Sequence, residues 1–287
     1  NPHSLIGPYL SGKESLKVRS RATEKDMFEN GSIRIKTKPF YTVKALDVSI
    51  PKGRMIAVTG VSGSGKTSLV IECLVPALQA VIQGTKLPEH VDSIEAKGIQ
   101  SVKVIDSKPI GANVRSTVAT YDGVFDDLRK LFARTADAKA KGLTAGDFSY
   151  NTGKLRCPVC DGTGIITMDV QFLPDVDTIC PSCGGSRYGK DAYDILWKSK
   201  EKDSVSVSLP GLLKLTVEEA AGILHEETKI AKQLKILQDL GVCYLTLGEA
   251  TPALSGGEAQ RLKLAYEMET PQQGSVFVFD EPTIGLH

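Results

Sequence analysis

The eight residues Gly60-Val61-Ser62-Gly63-Ser64-Gly65-Lys66-Thr67 leave this chain little choice of architecture. Three glycines in one short loop let backbone N–H groups converge on an anion, and the positive end of a following helix adds to the attraction. The arrangement works where such a loop joins a strand to a helix. Met55-Ile56-Ala57-Val58-Thr59 is a short apolar run that reads as a buried parallel strand, and Thr67-Ser68-Leu69-Val70-Ile71 opens a helix. The pattern is that of a phosphate-binding loop, with Gly60, Ser62, Gly63, Ser64, Gly65, Lys66, Thr67 and Ser68 as candidate ATP-binding residues. Lys66 would bridge the β- and γ-phosphates, and the Thr67 hydroxyl would ligate magnesium.

At 287 residues and 41% hydrophobic, the chain can bury a core large enough for one big domain or two ordinary ones. The formal net charge is only +1, so any nucleic-acid surface must be a local patch. No apolar run reaches the roughly 18 to 20 residues of a membrane span, and Asn1-Pro2-His3-Ser4 lacks the layout of a secretory signal. The expectation is a cytoplasmic protein without a membrane partner. Residues 1–30 are polar and aperiodic and read as a linker or N-terminal arm.

Six cysteines are present, and four of them form two Cys-x-x-Cys pairs, Cys157/Cys160 and Cys180/Cys183, with nineteen residues between the pairs. That spacing belongs to a tetrahedral thiolate zinc site, closed by four sulfurs and therefore structural. Gly162, Gly164, Gly184 and Gly185 follow the pairs, as tight knuckles around a metal require. Cys73 and Cys243 sit in apolar surroundings and read as small buried hydrophobes. The surrounding stretch, about 87–210, is rich in Gly, Asp and Pro and reads as an irregular insertion.

Helical pattern resumes beyond it. Thr216-Val217-Glu218-Glu219 is a capping box, and Ile230, Leu234 and Leu237 mark a helix that stops at Gly241. Ser255 and Glu258 in Leu254-Ser255-Gly256-Gly257-Glu258-Ala259-Gln260-Arg261 form another capping box. Its two glycines cost about 1 kcal/mol each in a helix relative to Ala, a loss that makes sense where something approaches the backbone closely. A γ-phosphate is the obvious visitor. Val276-Phe277-Val278-Phe279 is then a strand that ends in Asp280-Glu281.

Residues 254–261 resemble the signature motif of ABC ATPases, and Phe277-Val278-Phe279-Asp280-Glu281-Pro282-Thr283 resembles their Walker B strand. The four-cysteine insertion between phosphate loop and signature is similar to that of the UvrA family of bacterial nucleotide excision repair. So are Pro109-Ile110-Gly111, Ala119-Thr120-Tyr121, Gly123-Val124-Phe125-Asp126, Phe172-Leu173-Pro174-Asp175, Tyr9-Leu10-Ser11-Gly12 and the run from Asp280 to His287. The resemblance covers most of the chain from about Val43.

It implies an α/β, ABC-type P-loop nucleotide-binding domain with an inserted zinc-binding signature region, the C-terminal part of the ABC fold being missing after His287. Residues 31–90 and 262–287 would be two parts of the ATP-binding core, 91–261 the insertion. Asp280 would position magnesium, Glu281 would be the catalytic residue that polarises water, and Ser255, Gly256, Gly257 and Glu258 would serve the nucleotide of a partner module. The implied activity is an ATPase that needs a second ABC half. Implied partners are damaged double-stranded DNA, reached by Arg115, Lys154, Arg156 and Arg187, a homodimer mate and a UvrB-like protein.

The sequence departs from the family at Ser107, where a glutamine usually follows the aspartate, at Thr283-Ile284 in place of Thr-Thr, and before Lys44, where the Gly-Ala…Asn-Asn-Leu run is absent. These departures open an alternative: a diverged UvrA paralogue, or another ABC ATPase acting on a protein or ribosome partner, as in antibiotic self-protection.

Overall fold

A computed structural model describes residues 7–15, 20–111, 113–168, 176–200 and 205–283. The segments 1–4, 172–175 and 284–287, quoted above for the N-terminus and for the resemblance, lie outside them. Among the described residues no helix is long and apolar enough to cross a membrane. The chain divides into two compact units, Asn1–Val102 and Lys103–His287.

The first unit holds α1 (Gly7–Leu10), β1 (Ser32–Thr37), β2 (Leu46–Pro51), a π-helical run Ser68–Leu74 that continues into α2 (Val75–Gln83), and β3 (Val91–Glu95). β1 lies between β2 and β3, antiparallel to both. Strand β1 alternates as a half-buried strand should, Ile33 and Ile35 inward, Arg34 and Lys36 outward onto Asp47 of β2. Helix α2 buries Val75, Ala77, Leu78 and Ala80, and Gly84 in the left-handed conformation (φ 68°) ends it. Cys73 is fully buried, as expected for a small hydrophobe.

The run 55–59 differs from the sequence expectation. It forms no strand, and Met55 is 94% exposed. A strand exists only with a ladder partner, and among the described residues none lies beside this segment; apolar composition alone does not make one.

The second unit is mainly helical: α3 (Val118–Asp122), α4 (Val124–Ala133), α5 (Ala136–Ala140), α6 (Leu209–Leu213), α7 (Val217–Ile223), α8 (Thr228–Asp239) and α9 (Gly256–Met268). It also carries β4 (Ser101–Ile105, at the division between the units) paired with β9 (Ser275–Phe279), and two antiparallel hairpins, β5 (Ile165–Met168) with β6 (Val176–Ile179) and β7 (Leu196–Lys198) with β8 (Ser206–Ser208). Its core joins Val118, Val124, Leu128, Phe132, Leu212, Val217, Leu234, Leu237 and Leu262. Each such side chain contributes on the order of 1.5–3 kcal/mol by leaving water.

The capping boxes at Thr216/Glu219 and Ser255/Glu258 form as expected, Ile230, Leu234 and Leu237 are buried together, and β9 is the expected terminal strand. The stretch 87–210 is less irregular than its composition suggests. Val124, Phe125, Leu128, Leu131 and Phe132 form one buried face of α4, and Gly123 at φ 88° turns the chain between α3 and α4. Glycine acts there as punctuation between helices.

Candidate functional site

The four cysteines converge. Hairpin β5–β6 pairs Ile165 with Ile179, which returns the chain beside its start, and Cys180 N donates to Gly164 O at 3.0 Å. All four sulfurs lie within 4.8 Å of one another, with Cys157 and Cys180 4.0 Å apart and Cys160 and Cys183 3.7 Å apart. Metal–sulfur bonds of ~2.3 Å at the tetrahedral angle put neighbouring sulfurs ~3.8 Å apart, so the cluster fits one zinc. Its donors are all soft thiolates and three of the four residues are buried, which leaves no open coordination position. Burial pushes Cys183 up to about 12; at Cys157 burial is outweighed by the Cys160 and Val159 N–H groups, which hold it down to about 7.

Glycine is obligatory at the first knuckle. A Cβ on Gly162, whose φ is 79°, would lie 1.7 Å from Tyr150 O, and one on Gly164 2.9 Å from Gly185 O. Beneath the knuckles sit buried Phe148, Tyr150 and Tyr188, and the Tyr188 hydroxyl donates to Phe148 O at 2.6 Å.

The cations expected on DNA gather near this module, with one correction. Arg187 is only 6% exposed; its Nη1 donates to Val114 O at 2.9 Å and its guanidinium lies 5.2 Å from the Tyr150 ring centre. Burial lowers its pKa from the ordinary value, and a group so enclosed cannot reach a backbone phosphate. Its place beside the thiolates makes it a buried counter-charge. Arg115 and Arg156 both pair with Asp161, at 3.5 and 3.0 Å, and Lys154 pairs with Asp147 at 3.5 Å while staying largely exposed.

In the first unit the candidate phosphate loop leaves little room for side chains at Gly60 and Gly65. A Cβ on Gly60 would lie 2.7 Å from Ser64 Oγ, and Gly65 at φ 89° has Thr42 Oγ1 and Val43 Cγ2 2.9 Å from where its Cβ would be. Lys66 Nζ donates to Gly60 O and Val61 O, 2.9 Å each, so the ammonium lies over the loop. Leu69 N donates to Gly65 O at 2.8 Å, which starts the helix at the loop. Ser62, Gly63, Ser64 and Thr67 are exposed, and Ser68 is half-buried.

In the second unit Ser255 caps α9. Its N–H donates to the Glu258 carboxylate at 2.7 Å, and the Tyr244 hydroxyl donates to the same carboxylate at 2.8 Å. Burial raises Glu258, but the bonds from Ser255 and Tyr244 and the charge of Arg261 hold it below the usual carboxylate range, so the helix start keeps its anion. Gly256 lies against the chain's own loop: a Cβ there would lie 3.1 Å from both Ser107 Cβ and Ser107 O. Gly257 is buried. At the carboxyl end of β9, Asp280 N donates to Ile105 O at 3.1 Å, and exposed Glu281 has φ 47°, a left-handed conformation costly for a non-glycine residue.

No family model matches the chain. It is 43% identical over 289 residues to UvrABC system protein A of Staphylococcus epidermidis, and 42% identical over 290 residues to that of Staphylococcus aureus, each alignment covering 99% of the chain. UvrA2 from Deinococcus radiodurans superposes on all of it with a TM-score of 0.82 at 38% identity. The chain is UvrA-like. It spans 29% of the length of the curated relatives and 33% of the UvrA2 chain. The likeness to UvrA carries the α/β fold of an ABC ATPase, and the cysteine cluster lies inside the region it covers.

Gln260, Lys263 and Asp122 are placed by the structure and by none of the sequence motifs. The first two are legible as a stripe, four and seven residues after Gly256 on one helix. Asp122, a carboxylate 2% exposed with neither oxygen hydrogen-bonded, carries no sequence signal, since nothing in Tyr121-Asp122-Gly123 distinguishes it from a surface turn.

Proposed function

We propose that this chain is an ATP-binding and ATP-hydrolysing module for damage recognition in nucleotide excision repair, acting on damaged double-stranded DNA. The observation that carries the reading is the four-thiol cluster in the segment between phosphate loop and signature helix, in a chain alike to UvrA along its length. Residues 31–90 and 262–287 supply the ATP-binding core and 91–261 the zinc-bearing insertion. Gly60 to Ser68 hold the phosphates, with Lys66 on the β- and γ-oxygens. Thr67 and Asp280 are the residues that would hold magnesium, and Glu281 would orient the attacking water. Magnesium, when bound, neutralises charge that develops on the phosphate oxygens.

Ser255 to Glu258 serve a nucleotide held by another module, so turnover takes a second ABC half and a homodimer mate. A UvrB-like protein follows in the repair sequence, in the cytoplasm. Arg115, Lys154 and Arg156 are the cations offered to DNA phosphates; each is already paired with one carboxylate, so binding exchanges a protein anion for a phosphate.

The experiment is duplex affinity, with and without a lesion, across a salt series. Log affinity should fall with log salt at about −0.9 per phosphate contacted, and the lesion duplex should bind tighter. Salt-independent binding, or none, would refute the DNA assignment.

A further inference from the structure

Helix α9 meets the ends of β4 and β9 along a single polar stripe. Gly256, Gln260, Lys263 and Glu267 follow one another at steps of four, three and four, which is one face of an α-helix. Gly256 abuts Ser107. Gln260 Nε2 donates to Ile105 O at 3.2 Å and to Asp280 O at 2.9 Å, joining the ends of the two strands through one amide. Lys263 Nζ donates to the Asp106 carboxylate, to Asp106 O at 3.1 Å and to Lys108 O at 2.8 Å. Glu267 pairs with Lys103 at 2.6 Å.

A cation beside a nucleotide motif invites a phosphate-binding role, and Lys263 does not have one. An ammonium carries three N–H donors, and all three are engaged by the loop 106–108. The side chains of Lys263 and Asp106 are only 15% and 18% exposed, so water does not readily replace these bonds. The same holds for Gln260, which is 6% exposed. Packing of α9 into the core is supplied separately by Gly257, Ala259, Leu262 and Ala265.

We propose that Gln260 and Lys263 are positioning residues that lock the signature turn at Ser255 to the loop 106–108 and to Asp280. A nucleotide pressed against Ser255 then shifts Ser107 and the carboxylate end of β9 as one body with α9. The idea rests on the nucleotide reading above and adds to it the route by which one site reports its occupancy to another.

The test is amide hydrogen exchange on the zinc-loaded 287-residue chain, with and without ATP and magnesium, at a protein concentration high enough for a second copy to offer its signature. In the wild-type chain ATP should slow exchange at 255–260, 106–108 and 279–281 together. Lys263→Met should bind ATP within about twofold of wild type, yet lose most of the shared response at 106–108 and 279–281, by about tenfold in protection. Lys263→Arg, which restores a cation with several donors, should recover part of it. Asp106→Asn keeps the backbone contacts and removes the charge, and should give a weaker form of the same uncoupling should Lys263→Met fold poorly. Segments that respond independently in the wild-type chain, or a shared response that survives both Lys263→Met and Asp106→Asn, would overturn the proposal. Failure of the wild-type chain to bind ATP is a separate result, read by nucleotide titration beforehand, and would remove the nucleotide reading together with it.

Discussion

Asp122 is the residue with the clearest unmet cost. It lies at the end of α3, neither carboxylate oxygen has a hydrogen-bond partner, and Glu269 adds like charge from the end of α9. Gln233 of α8, close by Gly123, has its own buried oxygen without a donor, while its Nε2 donates to Glu269 at 3.3 Å. Burial first, then Glu269, pushes Asp122 from 3.8 up to about 7. The folded chain therefore holds a proton that the unfolded chain releases. Stability is fully present below 3.8, is lost as pH rises to about 7, and is flat above that. The whole shift corresponds to up to about 4 kcal/mol. Urea midpoints should drop between about pH 6 and pH 8 by the equivalent of about 1 kcal/mol, and Asp122→Asn should remove that slope and stabilise the chain at the upper end. An identical pH profile in the variant would place the titration elsewhere.

At the scale of elements, the two knuckles differ in how tightly they close, and glycine substitutions read that difference. Gly162→Ala drives a Cβ to 1.7 Å from Tyr150 O, so the turn must open and the sulfurs must separate. Gly184→Ala meets nothing within 4 Å and pays only for its φ of 57°, roughly 1–2 kcal/mol. Metal analysis should find zinc well below one per chain in the first variant and close to one in the second, with a correspondingly larger loss of thermal stability for Gly162→Ala. Equal zinc content in the two would contradict the knuckle geometry.

These knuckles were also the most legible part of the sequence, because cysteine spacing and glycine placement are local and the metal tolerates little variation. Capping boxes and the α8 stripe were legible for the same reason. The run 55–59 was not, since strand formation depends on a partner that composition cannot supply. Arg187 is expected on DNA only through the resemblance and its place near the cysteines, whereas its burial comes from Tyr150 and Val114, far away in sequence. At Gly256 a close neighbour does lie against the backbone, Ser107, and the sequence alone does not say whose atoms approach.

For the whole molecule, a net charge of +1 conceals a division of labour. The proposed phosphate loop, with its single lysine folded over its own carbonyls, belongs to the first unit. The thiol cluster, the proposed signature turn and the Asp280-Glu281 carboxylates belong to the second. Structural zinc in four thiolates contributes an apparent ~10–16 kcal/mol that becomes folding energy, so nucleotide measurements belong on zinc-loaded protein. ATP binding by Gly60 to Ser68, as proposed, depends on Lys66 as the cation that the loop aims at the β- and γ-phosphates. Titration of ATP and magnesium into zinc-loaded wild-type and Lys66→Ala chains tests it directly. The wild-type chain should bind saturably, weakened at least about tenfold in Lys66→Ala, a loss of about 1.4 kcal/mol or more. Equal affinity in the two, or no binding by the wild-type chain, would contradict it.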